Sequence, residues 1–357
     1  MNPKEGRASG DRSLGDRSFL PDLPDLPVTP SPSRREFVQA LAASALALRG
    51  LPASAQDRSF LPDLPDLPVI SSLAQSTPGA RIRKAVLISM LPKELSYADR
   101  FALGRAAGFD GIEMQTIADP DEAAEVLAAS KATGLHIHSV MNADHWRFPL
   151  SSRDGPTVAR SVAGMEASLR NAALWGADVV LLVPAVVDAD TSYRDAWTRS
   201  QRVIRERLLP MASALNVVIA VEEVWNKFLL SPLEFARYVD EFGSPQIKAY
   251  FDVGNVVFYG FPQDWIRVLG QRIVKIHLKD FQLDRPNGRF SWRNLGEGDI
   301  DWPAVRQALA DVGYAGYVTT EVAAGDRSYL TDLAHRVDRF LAGERPGPSP
   351  QRDQGAK

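Results

Sequence analysis

The feature that most limits how this chain can fold is a series of eight short apolar runs, at residues 84–89, 109–114, 135–141, 177–184, 217–221, 247–251, 273–278 and 317–321. The runs are continuously apolar rather than alternating, as expected of strands covered on both faces. Helical stretches separate them, at 96–107, 120–133, 157–174, 195–215, 302–311 and 328–341, and several stop at a glycine. Shorter helical pieces begin at Ser231, an N-cap followed by Pro232 at the first helical position, and at 265–269. Eight strand–helix units in about 260 residues match one closed (β/α)8 barrel in both count and length. A doubly wound sheet would usually carry a glycine-rich phosphate turn after its first strand. Here Met90-Leu-Pro-Lys93 stands in that place.

The barrel pattern occupies residues 81–343 of a chain of 357. Formal net charge is −3, which offers no electrostatic ground for nucleic acid or an anionic membrane as partner. With no cysteine, disulfides and thiolate metal sites are excluded, and no apolar run is long enough for a membrane span. Residues 1–80 differ in kind, being rich in Pro, Ser, Asp and Arg. One string, Asp16-Arg-Ser-Phe-Leu-Pro-Asp-Leu-Pro-Asp-Leu-Pro-Val28, recurs unchanged at 57–69. Its proline spacing forbids helix, so each copy reads as extended linker. Between the copies, Arg34-Arg35, an Ala/Leu-rich run at 40–48 and Ala53-Ser-Ala55 resemble a twin-arginine export signal. The expectation is an exported protein, periplasmic or extracellular, with a disordered tail at 344–357.

Four consecutive runs end in a group that can ligate a metal: Glu223, Asp252, His277 and Glu321. In a barrel the C-terminal strand ends meet at one mouth, so residues far apart in sequence face each other. Singly, each has an ordinary reading: Glu223 as a loop cap, Asp252 as a turn residue, His277 as a core histidine, Glu321 as an ion-pair partner. Together they form an oxygen-rich set that favours Mn2+, Mg2+ or Co2+, with Zn2+ a further candidate. Glu222 adjoins Glu223 and points the opposite way on a strand, which assigns it a structural role.

The segments Glu223-Val-Trp-Asn-Lys-Phe228, Phe251-Asp-Val-Gly-Asn255, Ile276-His-Leu-Lys-Asp280, Leu295-Gly-Glu-Gly-Asp-Ile-Asp-Trp302 and Thr320-Glu321 resemble the sugar isomerase/epimerase superfamily of xylose-isomerase-like TIM barrels. The likeness spans roughly residues 84–340 and is nearest to the ketose and pentulose-5-phosphate 3-epimerases, whose third loop is similar to His145-Trp-Arg-Phe-Pro-Leu-Ser-Ser152. The resemblance implies a divalent-metal-dependent isomerase or epimerase of a keto sugar. Its metal ligands would be Glu223, Asp252, His277 and Glu321, with Glu223 and Glu321 as the acid/base pair acting through an enediolate. Asn255 stands where these enzymes often place a substrate-contacting histidine, and Leu229 where some use a glutamate. Both departures bear on which sugar is taken.

Further candidates for substrate contact are Glu113 at the second strand end, His138 on the third, His145 and Arg147 on the loop after it, and Lys279 beside His277. Trp225, Phe258 and Trp292 could stack on sugar faces or simply pack. The loop through Arg289 to Glu297 is where substrate choice is expected to be decided. Three other functions fit parts of the pattern: elimination from a 3-keto-glycoside at the same metal site, an endonuclease-IV-like phosphodiesterase, and a non-catalytic sugar-binding protein. The phosphodiesterase would need more well-placed histidines than a chain with five in total offers. The expected partner is a small sugar, and assembly into a homo-oligomer is compatible with the sequence.

Overall fold

The computed structural model of the protein describes residues 81–142 and 144–347. The export-signal and linker readings of residues 1–80 lie outside the described residues, as does the tail from 348 onward.

Eight parallel strands close into a barrel. They are β1 (Arg83–Leu87), β2 (Gly111–Gln115), β3 (His136–Met141), β4 (Val179–Leu182), β5 (Val218–Glu222), β6 (Ile247–Asp252), β7 (Ile273–Leu278) and β10 (Tyr317–Thr320). Each barrel strand pairs with its predecessor, and β10 closes the ring on β1 with Arg83 opposite Tyr317. The outer layer is helical: α1 (Tyr97–Ala107), α2 (Pro120–Thr133), α3 (Gly155–Trp175), α4 (Tyr193–Val203), α5 (Leu209–Leu215), α6 (Pro232–Asp240), α7 (Pro262–Leu269), α8 (Trp302–Asp311) and α9 (Arg327–Leu341).

Local chemistry sets the helix ends. The Ser96 hydroxyl accepts the Asp99 amide ahead of α1, and the Asp119 carboxylate accepts the Asp121 and Glu122 amides ahead of α2, which starts at Pro120. One expected helix, 195–215, is divided: α4 and α5 are joined by a five-residue π segment, Ile204–Leu208. Pro210 follows it, and a proline inside a helix removes one backbone donor and crowds the preceding turn, which a π bulge accommodates.

Two apolar layers hold the barrel. Ile112, Ile137, Val180, Ile219, Phe251 and Ile276 are fully buried between strands and helices. Val179, Leu181, Ala220 and Tyr250 fill the interior. Each Val, Leu, Ile or Phe among them stabilises the fold by roughly 1.5–3 kcal/mol relative to exposure. Above this inner plug the interior turns polar, with Glu113, Asp252 and His277 all fully buried.

One element was not expected. Directly after β7, β8 (Asp280–Asp284) and β9 (Arg289–Arg293) form an antiparallel hairpin, Phe281 opposite Trp292 and Leu283 opposite Phe290. The start of the expected disordered tail is also docked: Arg345 donates to the carbonyls of Gly296 and Gly298, and Pro346 is buried.

Candidate active site

Strand register decides which side chains share the barrel interior, because residues paired across parallel strands lie on one face. Asp252 pairs with His277, and His277 with Thr319. Glu222 pairs with Tyr250, two residues before Asp252 and therefore on the same face. Glu222, Asp252, His277 and Glu321 accordingly converge, each offering a ligand atom, all within 4.8 Å of one another. The expected assignment of Glu223 to this cluster, and of Glu222 to a structural role, is reversed. Glu223 has the opposite parity, and its Oε1 accepts the Asp252 amide at 3.0 Å.

His277 organises the cluster. Its Nδ1 lies 2.9 Å from Glu222 Oε1, 3.2 Å from Glu321 Oε2 and 3.8 Å from Asp252 Oδ2. Its Nε2 lies 2.8 Å from Glu113 Oε2, which also accepts the Tyr250 hydroxyl at 2.9 Å. With the Nε2 proton held by Glu113, Nδ1 turns a lone pair toward three carboxylates. Only a cation or a second proton makes that arrangement favourable. Asp252 Oδ2 is buried without a hydrogen-bond partner; Lys279 Nζ is 3.0 Å away, an ion pair lacking hydrogen-bond geometry. The donor set, the oriented imidazole and the orphaned oxygen fit a divalent cation of the oxygen-preferring kind.

Electrostatics follow burial and neighbours. Burial pushes the Glu222 carboxyl up to about 7, with His277 opposing. Burial, then the Asp252 and Glu222 charges, push Glu223 well above the usual carboxylate range. Burial works against ionised Glu321, but Lys279 and His277 outweigh it and hold that carboxyl well below its ordinary value. The Lys279 ammonium is held on by Asp252 and Glu321 against the cost of its own burial, and it donates to Glu321 Oε2 at 2.9 Å.

The cluster opens into a cavity of about 700 Å3, whose lining includes Glu222, Glu321, Lys279, His145, Asn255 and Trp292. Three expected substrate residues therefore reach it. His145 is buried on the wall. Asn255 lines the wall, but its side-chain amide donates to the Glu223 carbonyl and its own carbonyl accepts the Trp225 indole N–H, so it also ties strand ends together. Lys279 sits against the carboxylates.

Three do not. Glu113 lies beneath the cluster and holds His277. His138 is fully buried, stacked on Tyr317 at 4.3 Å, with Nε2 3.0 Å from the Thr319 hydroxyl. Arg147 is exposed, its guanidinium 5.4 Å from the Phe148 ring centre, and it is not among the lining residues. Glu222, Trp146 and Tyr329 are lining residues that the sequence reading did not assign to substrate.

The loops that hold these groups are tightly built. A β-carbon on Gly254 would lie 2.6 Å from Lys279 Cγ and 2.8 Å from the Lys279 carbonyl, so the turn after β6 has room only for glycine. Asp280 gathers the 296–302 loop, accepting the amides of Gly296 and Gly298 and the Trp302 indole N–H.

Comparison with known proteins points one way. The sequence pattern of the xylose isomerase-like TIM barrel family matches residues 101–339. SgbU of Escherichia coli strain K12, provisionally named an L-ribulose-5-phosphate 3-epimerase, is 30% identical over 249 residues, covering 65% of this chain and 85% of SgbU. Among solved structures, an L-ribulose 3-epimerase superposes with a TM-score of 0.62 at 19% identity, covering 73% of this chain and 95% of its own. A 3-keto-D-glucoside 4-epimerase from E. coli does so at 0.61 and 16%, covering 72% and 99%. At these identities the structural likeness speaks for the fold.

Proposed function

This chain belongs to the family of xylose isomerase-like TIM barrels, and on that premise we propose that it is a divalent-metal-dependent epimerase of a keto sugar. The observation that carries the reading is the convergence of Glu222, Asp252 and Glu321 on His277 Nδ1 at the inner end of the cavity. The named relatives, epimerases of ribulose 5-phosphate and ribulose, support the same class of reaction.

Glu222, Asp252, His277 and Glu321 would hold the cation. When bound, it supplies Lewis-acid polarisation of the substrate carbonyl, which acidifies the neighbouring C–H. The remaining work belongs to the chain. Strand order is β5, β6, β7, β10, so Glu222 and Glu321 flank the β6–β7 pair that carries Asp252 and His277. Carboxylates on two sides of a bound sugar can take a proton from one face and return one to the other, which inverts the carbon. Lys279 keeps Glu321 ionised and able to accept a proton. Glu113 fixes the His277 ring and its tautomer. His145 lines the wall and is placed to meet a substrate hydroxyl.

Export through the segment at 33–55 is part of this proposal, and fractionation of the expressing cells tests it. The activity is tested by incubating the Mn2+-loaded protein with a panel of ketoses in D2O and following C3 by NMR. Deuterium is expected at C3 of at least one ketose, together with its C3 epimer, and chelation by EDTA should stop the exchange. Absence of exchange on every sugar would end the proposal.

A further inference from the structure

The cavity is larger than one sugar ring needs. About 700 Å3 sits mid-range among pockets of about 300–1,000 Å3 that enclose a drug-sized ligand, whereas a free ketohexose has only about a dozen heavy atoms. Its inner end is Glu222, Lys279 and Glu321; its outer end is aromatic. Trp292 and Trp146 line the same cavity, with 46% and 53% of their surfaces exposed.

This outer end is built rather than loose. Trp225 donates its indole N–H to the Asn255 carbonyl at 2.9 Å. Phe258, Phe281, Phe290 and Trp292 surround it with ring centres 5.1–5.6 Å away. Phe281, Phe290 and Trp292 come from the β8–β9 hairpin, which joins the end of β7 to the mouth. The hairpin thus fixes the half-exposed Trp292 indole beside the site, with Lys279 Nζ 5.0 Å from its ring centre and Arg293 and Asn294 next along the lining. Aromatic walls with a few polar groups set among them are typical of a ligand-binding cavity.

We propose that the mouth holds a second subsite, formed by Trp225, Trp292 and Trp146, that takes the further pyranose ring of a ketose-containing disaccharide. A pyranose presents C–H groups on its face and hydroxyls on its rim, which matches indole surfaces set beside the Asn294 amide. A phosphate is the poorer occupant. Lys279 is already paired with Asp252 and Glu321, and the Arg293 fork, Nε and Nη2, is occupied by Gln282 Oε1 at 3.0 and 2.6 Å.

This inference rests on reading the inner site as an epimerase's, and the test separates the two. Titration calorimetry of the full chain with Mn2+ compares D-fructose, D-fructose 6-phosphate and the glucosyl-fructoses maltulose and isomaltulose, whose fructose C2 and C3 are unsubstituted. At least one disaccharide is expected to bind about tenfold more tightly than fructose, and Trp292→Ala to cut that ratio by most of the same factor. Equal affinity for fructose, tighter binding of the phosphate, or a Trp292→Ala variant that weakens both classes equally would overturn the subsite. D2O exchange is read on the same samples. Exchange on fructose without a disaccharide advantage ends this inference and leaves the epimerase reading standing. A disaccharide advantage without exchange on any sugar keeps the subsite and counts against the epimerase.

Discussion

Replacing Glu222 with Gln and, separately, Glu223 with Gln asks which of two adjacent buried glutamates serves the site. Glu222 Oε1 is 2.9 Å from His277 Nδ1, whereas Glu223 Oε1 accepts the Asp252 amide. The donor atoms of Glu222, Asp252 and Glu321 lie within 4.8 Å of one another, and two carboxylate charges at that separation repel by roughly 3.5 kcal/mol at an effective dielectric constant of about 20. A divalent cation attracts each carboxylate with twice that strength, roughly 7 kcal/mol at the same separation, and Glu222→Gln removes one such attraction. Even with more than half of that offset by desolvation, Mn2+ affinity should fall at least about 100-fold. With Mn2+ at about 100 times the wild-type dissociation constant, binding stabilises the folded protein by about 2.7 kcal/mol. That is a rise in Tm of roughly 5–10 °C for a domain of this size. In Glu222→Gln the same concentration only matches the weakened constant, leaving about 0.4 kcal/mol and a shift of about 1 °C. Glu223→Gln keeps an acceptor for the Asp252 amide and should keep most of the shift. Scanning fluorimetry of the three proteins at pH 8, with and without Mn2+, reads both effects. A full shift in Glu222→Gln, or its loss in Glu223→Gln alone, refutes the register argument.

Other outcomes follow from single contacts. Glu113→Gln removes the charge that orients His277 from below, so Mn2+ affinity should drop about 10–100-fold; calorimetry showing an unchanged constant would contradict that role. Gly254→Ala forces a β-carbon against the Lys279 carbonyl. It should lower stability by about 1–3 kcal/mol, seen as a Tm loss of roughly 3–10 °C, and a loss under 1 °C would show that the turn yields freely. Burial lowers the His145 imidazole to about 4, so between pH 6.5 and 4 the unfolded chain binds the extra proton. Its contribution is full above 6.5 and is lost as pH falls, by at most about 1.4 kcal/mol per pH unit. Denaturant titrations of wild type and His145→Gln should therefore diverge below pH 6.5, with the wild type losing more; parallel curves would rule this out.

The barrel was legible because eight buried strands leave eight apolar runs, and β7 was readable to the residue at Ile273–Leu278. The same property concealed the parity of β5. A strand buried on both faces carries no polar alternation, so nothing in Val218–Glu222 says which of two neighbouring glutamates faces inward. The register with Tyr250 and Asp252 supplies that, and register is a long-range fact. The placement of His138 is likewise long-range, since Tyr317 and Thr319, which hold it, lie on the strand that closes the ring. The hairpin is a different kind of miss. Phe281 and Leu283 alternate with polar residues, Phe290 and Trp292 do the same, and Asn287-Gly288 stands between them. That is a hairpin signal in its own right, masked by its position inside a single β7–α8 connection of the barrel. Its far strand and the residues beyond, Trp292 to Asn294, do line the cavity, in the stretch where substrate choice was expected to be decided.

Charge in the upper barrel ties the ligand set to the fold. Glu113, Glu222, Glu223 and Asp252 are buried within it, and Glu321 closes it from the mouth. Against them stand the Lys279 ammonium and one imidazole, His277. Burial moves Glu222, Glu223 and Asp252 toward their neutral forms, the usual response of carboxylates crowded without enough positive charge. Two of the groups serve geometry rather than ligation: Glu113 aims the imidazole from beneath and Glu223 braces the Asp252 backbone from behind. The other three carboxylates are then brought together on strands whose spacing the closed barrel fixes, so they cannot relieve their repulsion by moving apart. In the proposed epimerase a divalent cation would offset that repulsion while leaving Glu222 and Glu321 ionised. This is why a cluster costly to the bare fold is consistent with proton transfer at its mouth.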